Sequence, residues 1–295
     1  MKKVVIVGAG LVGATAAYAL MIDGAAKEIA LVDVCKEKAE GHAMDLNHGT
    51  EFVPNVKIRS CDDYSVCKDA NIIIICAGIA RKPGEPRLDL INKNSVILKE
   101  AINNIKQFNN HCVLLIVSNP VDVLTYLAIK ESNFPKNKVF GTGTMLDTAR
   151  FKFLLSEQFD VDPAKIDALV LGEHGATSFP HLSAAKIDGK SIENAKDIFE
   201  TAKNSAAEVI KKKGATHYAI GLCIAKIVRT ILEDKEDIFP VSTLIEEYDV
   251  CLSIPCIIDK TGIKEKARIE LNDSEKKALE HSANILRKVI DDITS

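Results

Sequence analysis

KVVIVGAGLVGATAAYAL, residues 3–20, is the stretch whose reading decides the fold. Residues 3–7 are dominated by valine and isoleucine in a nearly continuous apolar run, the pattern of a short strand buried on both faces. Leu11 to Ile22 then follow a helical pattern, and between the two lie Gly8, Gly10 and Gly13. A lone G-x-G-x-x-G says little, because glycines gather in turns. Here it joins a strand to a helix, and Asp33 stands twenty residues beyond Gly13 at the end of the next strand-like run, EIALVDV. That combination matches the dinucleotide-binding fingerprint. Gly8 would make the tight turn, Gly10 would let the backbone approach a pyrophosphate, and Gly13 would let the helix pack closely on the strand. The helix amino terminus would offer amide donors and a positive dipole end to the phosphates. Asp33 would accept from the adenosine ribose hydroxyls and repel a 2′-phosphate, which favours NAD over NADP.

Outward from this unit, EIALVDV (28–34), NIIIICA (71–77) and VLLIVS (113–118) read as further buried strands, with helical patterns at Asn92 to Phe108 and Val121 to Lys130. The alternation predicts an α/β fold: a Rossmann doubly wound parallel sheet with right-handed crossovers. After about residue 142 the texture changes. Helices at roughly 145–159, 193–213, 217–234 and 275–293 surround strand-like pieces IDALVLG, SAAKIDGK, VCLSIPCIID and ARIEL. The expectation is therefore an NAD-binding domain over residues 1–141 and a catalytic, substrate-binding α+β domain over 142–295, with no obvious linker between them.

The length of 295 residues is enough for one large or two ordinary domains. With 47% hydrophobic residues, 27% charged residues and a net charge of −3, the chain has no general attraction for polyanions, and no nucleic-acid partner is expected. The basic start MKK leads into an apolar run broken at Gly8, unlike a signal peptide, and no apolar stretch approaches the roughly 18 residues of a membrane span. Eight scattered cysteines without paired C-x-x-C motifs suggest reduced thiols in a cytoplasmic protein and no metal site.

Two more segments carry chemistry. In GTGTMLDTARF (141–151), Asp147 and Arg150 are three apart on one helical face, and LGEHG (171–175) puts His174 in a polar segment after an apolar strand. Each alone reads as an ordinary ion pair or a structural histidine. Beside a dinucleotide site they supply the parts of hydride-transfer chemistry: a proton donor titrating near neutrality, a carboxylate to hold its tautomer, and a cation for an acid substrate. RKPGEPR (81–87) adds Arg81 and Arg87 around Pro83, Gly84 and Pro86, the composition of a loop with stiff and free joints.

The chain resembles the lactate/malate dehydrogenase family over nearly its whole length. GAGLVG with Asp33, AGIARKPGEPRLDL, VSNPVD, GTGTMLDTARF, GEHG, KGATHYAIGL and RIELNDSEKKAL occur in the family's order. The resemblance implies that His174 is the proton donor and acceptor, Asp147 its orienting partner, Arg150 the clamp on the substrate carboxylate, and Arg87 a loop cation that polarises the carbonyl. It implies that Asn119 bonds the reacting oxygen beside the nicotinamide, that Thr216 lines the pocket, and that Gly78 joins the cofactor site. The implied partners are NAD and a small 2-oxo or 2-hydroxy acid, and relatives are homo-dimers or homo-tetramers.

Arg81 bears on which acid. In the family, malate enzymes have arginine at this loop position and lactate enzymes usually glutamine, and a guanidinium would pair with the second carboxylate of oxaloacetate. The expectation is therefore L-malate oxidation, with L-lactate dehydrogenase as the alternative. Thr216 and several segments resemble lactate enzymes as closely. An NAD-dependent glycoside hydrolase and a non-catalytic NAD-binding module are more distant alternatives. Three departures stand out: Ala176 replaces the aspartate usual after EHG, and the stretches from His174 to KGAT and around LIEEYDVCLSIP are short.

Overall fold

The computed structural model describes residues 2–80, 87–192 and 195–294. In chain order the elements are β1 (Lys3–Val7), α1 (Leu11–Asp23), β2 (Glu28–Val32), α2 (Lys36–His48), β3 (Lys57–Cys61), β4 (Ile72–Ile75), α3 (Arg87–Lys106), β5 (Val113–Ile116), α4 (Val121–Ser132) and β6 (Val139–Gly141). They continue with α5 (Met145–Phe159), β7 (Ile166–Asp167), β8 (Val170–Leu171), β9 (Phe179–Pro180), β10 (Lys186–Ile187), β11 (Lys190–Ser191), α6 (Lys196–Lys213), α7 (Tyr218–Leu232), β12 (Asp237–Ile245), β13 (Val250–Asp259), β14 (Gly262–Lys266) and α8 (Asp273–Thr294).

The first six strands are parallel in the order β3-β2-β1-β4-β5-β6, the doubly wound arrangement. Strand order reverses between β1 and β4, which opens a crevice at their carboxyl ends, where such sheets bind ligands. The isoleucines of β4 show why its run is continuous. Ile73 and Ile75 join the core beneath α3, α4 and α8, while Ile72 and Ile74 join the core beneath α1 and α7. Strands β1, β2, β4, β5 and β6 are thus buried on both faces, while the edge strand β3 is only partly buried. The amphipathic stripe of α8 seals the first core with Ala283, Leu286 and Ile290.

The sheet does not end at β6. Ser242 of β12 pairs antiparallel with Gly141, and β13 and β14 extend the same sheet to nine strands. Two expectations differ in detail. IDALVLG breaks into the two-residue strands β7 and β8, and ARIEL (267–271) forms no strand. The Glu270 carbonyl is taken by the His181 ring at 3.0 Å instead of by a neighbouring strand, so its alternating apolar residues have no ladder to join.

Candidate active site

The crevice between β1 and β4 is shaped by missing side chains. Gly8 has φ +101°, and a Cβ there would lie 2.5 Å from the Ala77 nitrogen; a Cβ on Gly13 would lie 1.9 Å from the Gly8 oxygen. The turn and the first turn of α1 are packed directly on one another, which no larger residue permits. Gly10, by contrast, has open space where a Cβ would stand, and it caps α1 without a side-chain hydrogen bond. The first-turn amides are left for an anion. Asp33 closes the far side: its carboxylate accepts the Ala9 N–H at 2.6 Å and the Cys35 N–H at 2.9 Å. Gly78 lines the crevice with Val32 and Ile97. Glycine cradle, helix terminus and acid fit a dinucleotide without a 2′-phosphate.

A second cleft is lined by Asn119, Asp147, Arg150, His174, Thr216 and residues of α6. Its polar groups come from distant elements. Asp147 and Arg150 stand on the first turns of α5, which is fastened to β8 when the Thr144 hydroxyl donates to the Val170 carbonyl at 2.5 Å and the Val170 N–H donates to the Thr148 hydroxyl at 2.9 Å. The chain leaving β8 passes Gly172 at φ +90°, where a Cβ would meet the Ser282 hydroxyl at 2.8 Å, and delivers His174 opposite Asp147. The His174 Nδ1–H then meets Asp147 Oδ2 at 2.5 Å, and Arg150 reaches Asp147 Oδ1 at 3.3 Å. Among the described residues no hydrogen bond takes Nε2.

Electrostatics follow from this geometry. Burial pulls the His174 ring toward the neutral form, but the charge and hydrogen bond of Asp147, with Asp122 behind, outweigh it and raise its pKa above 6.5. Burial would raise the Asp147 carboxyl, yet His174 and Arg150 hold it below its ordinary value. The pair can therefore give or take a proton near neutrality beside a fixed cation.

His174, Asp147, Arg150, Asn119 and Thr216 thus share one cleft, while Gly8, Gly10, Asp33 and Gly78 share the other, with Gly13 packed behind the turn. Arg81 lies outside the described residues, as does the side chain of Arg87, whose backbone opens α3. Two contributors go unrecognised in the sequence. Asn94, 2% exposed, accepts the Ile79 N–H at 2.9 Å and donates to the Asn119 carbonyl at 2.8 Å, so one α3 side chain ties the loop after β4 to the loop after β5. Asp122 accepts the His174 main-chain N–H at 2.7 Å. Its signal is a carboxylate inside VDVLTYLAI, otherwise almost wholly apolar.

Residues 2–141 match the NAD-binding domain of lactate/malate dehydrogenases, and residues 144–295 match that family's α/β carboxyl-terminal domain. The chain belongs to the lactate/malate dehydrogenase family. Its cofactor is NAD, its substrate a small 2-oxo or 2-hydroxy acid, and its fold the Rossmann domain followed by an α/β carboxyl-terminal domain. It is 45% identical to the L-lactate dehydrogenase of Acetivibrio thermocellus, covering 98% of this chain and 96% of that one. An L-lactate dehydrogenase of Clostridium botulinum is also 45% identical, with the same coverage. The crystal structure of the minor L-lactate dehydrogenase from Enterococcus mundtii superposes with a TM-score of 0.95 at 37% identity, covering 99% of this chain and 98% of that one. MGS-M5, a lactate dehydrogenase from a Medee basin deep-sea metagenome library, superposes with a TM-score of 0.94 at 39% identity, covering 100% and 99%.

These relatives overturn the expectation of malate. That reading rested on Arg81 alone. Arg81 is one letter, set against 45% identity to L-lactate dehydrogenases over 98% of the chain. The similarity to L-lactate dehydrogenases instead extends over the whole family member.

Proposed function

We propose that this enzyme is an NAD-dependent L-lactate dehydrogenase, interconverting pyruvate and L-lactate. The observation that carries the chemistry is the His174–Asp147 pair beside Arg150 in one cleft. The choice of lactate is supported by relatives of that name at 45% identity across 98% of the chain.

Bound NADH supplies the hydride for the carbonyl carbon. His174 delivers its Nε2 proton to the carbonyl oxygen as the alkoxide develops, and in the reverse direction takes the hydroxyl proton. Asp147 holds the ring's tautomer through Nδ1 and stabilises the imidazolium. Arg150 binds the substrate carboxylate through its guanidinium, and Asn119 orients the reacting oxygen. Arg87, the first residue of α3, polarises the carbonyl. Thr216, with Ala206 and Ile220 nearby on the cleft wall, borders the remote end of the substrate, where a methyl group needs no counter-charge.

Steady-state reduction of pyruvate and oxaloacetate by the purified chain with NADH tests this directly. Pyruvate should have the higher kcat/KM by roughly 10-fold or more. A preference for oxaloacetate, or reduction of neither acid, would overturn the proposal.

A further inference from the structure

Asp122 takes no part in the chemistry above, yet it is bound to the residue that performs it. It sits in the first turn of α4, 2% exposed, between Val121 and Val123, which are themselves buried. A carboxylate in such surroundings needs its oxygens satisfied. Oδ1 accepts the hydroxyl of Ser242, fully buried on β12, at 2.6 Å, and Oδ2 accepts the His174 main-chain N–H at 2.7 Å. Three elements that are remote in sequence meet at this one group. Ser242 satisfies one oxygen alone, and the donor found for the other is the amide of the proton-carrying residue.

Asp147 grips the same histidine from α5, at the ring. The flanking residue is fastened too: the Thr177 hydroxyl donates to the Glu173 carboxylate at 2.6 Å and the Ser282 hydroxyl to the Thr177 carbonyl at 2.7 Å. With its main chain held from one side and its imidazole from the other, His174 can neither slide along the loop nor swing about the backbone. We propose that Asp122 is a positioning residue for His174, setting the height of the imidazole in the cleft through the main-chain N–H while Asp147 sets its ring. This rests on the reading of His174 as proton carrier.

Among the described residues, the charged groups around His174 are Asp147 and Arg150 from α5, Asp122 from α4 and the adjoining Glu173; the buried Cys251 thiol of β13 also lies near Asp122. Burial raises the Asp122 carboxyl to about 6 against the hydrogen bonds of Ser242 and His174, so at neutral pH it adds negative charge as well as a hydrogen bond, and two substitutions separate the effects. Asp122→Ala removes both. Asp122→Asn removes the charge but can keep the contacts, its carbonyl accepting the His174 N–H and its amide donating to the Ser242 oxygen.

The test compares both variants with the wild-type chain in pyruvate reduction with NADH and with deuterated NADH, in NADH affinity by fluorescence, in thermal midpoint, and in the His174 ring titration followed by nitrogen-15 NMR. Asp122→Ala should lose about 100-fold in kcat, as misplacement of a reacting group by an ångström does, with NADH affinity held within about threefold and a larger deuterium effect. Asp122→Asn should recover most of that loss while its His174 titration moves to lower pH. Unchanged kcat and titration in Asp122→Ala would overturn the proposal. So would a parallel fall of kcat, NADH affinity and thermal midpoint that Asn does not rescue, because that is the signature of a core brace. If the wild-type chain reduces no 2-oxo acid, the functional reading fails separately. The His174 amide nitrogen-15 signal still decides the contact: it must move in Asp122→Ala and stay near wild type in Asp122→Asn, and an amide unmoved in Asp122→Ala overturns the proposal.

Discussion

The cofactor crevice takes its fingerprint of Gly8, Gly10, Gly13 and Asp33 from residues 8–33 and adds Gly78 from beyond β4, whereas the substrate cleft draws Asn119, Asp147, Arg150, His174 and Thr216 from residues 119–216. The first is made by leaving atoms out, so that backbone can touch backbone and ligand. The second is made by side chains that project from α5, the β8 loop and the chain before α7 into a shared space. A site of the first kind is damaged by adding a methyl group, and a site of the second kind by removing a functional one.

Substitutions can break that contrast, and the largest effect belongs to the second kind. His174→Ala should lower pyruvate turnover by roughly 10²- to 10⁴-fold, the usual worth of a general acid, while NADH binding followed by fluorescence is unchanged. Equal loss of NADH binding would mean that the two sites are not separable. Gly13→Ala should act in the opposite way: with a Cβ 1.9 Å from the Gly8 oxygen, the turn must shift, at a cost of about 1–3 kcal/mol. A lowered thermal midpoint and weakened NADH affinity would show it, and a variant indistinguishable from wild type in both would refute the account of the cradle.

The smallest effect is a displacement along the pH axis. Burial depresses the His174 pKa, but the Asp147 carboxylate overrides it, and the net folded value lies above 6.5. Pyruvate reduction needs the protonated ring, so its kcat/KM should be full below 6.5 and fall only as pH rises through the raised value; lactate oxidation should rise across the same window. The protonated ring's contribution to stability has the same sign, present below 6.5 and lost as pH climbs through the folded pKa. A midpoint of the kinetic limb below 6.5 would show that burial, not Asp147, controls the ring.

Much of the crevice was legible because its determinants are local. A strand, a glycine spacing and an acid within one β-α-β unit leave a linear trace. Asp147 and Arg150 were legible as a pair for the same reason, being one helical turn apart. Their partnership with His174 was visible only as a set of compatible parts beside a dinucleotide site, not in residue spacing, since its geometry depends on the Thr144 and Thr148 bonds to β8; the family resemblance then supplied the pairing. Asp122 and Asn94 escaped notice because the site groups they hold, the His174 N–H and the Asn119 carbonyl, lie 52 and 25 residues away and are backbone groups, which have no letter in a sequence. The substrate was misread for a related reason. A charged letter in RKPGEPR carries no direction, and specificity depends on direction.

The extension of the parallel sheet through β6 and β12 has a mechanical consequence. Each of the two large cores runs across that junction: Leu114 and Ile116 share one with Leu244, Val250 and Leu252, while Ile6 and Leu20 share the other with Ile224 and Val228. A molecule braced on both faces of one sheet resists opening its halves like a book, so the glycine cradle and His174 are carried on one continuous framework.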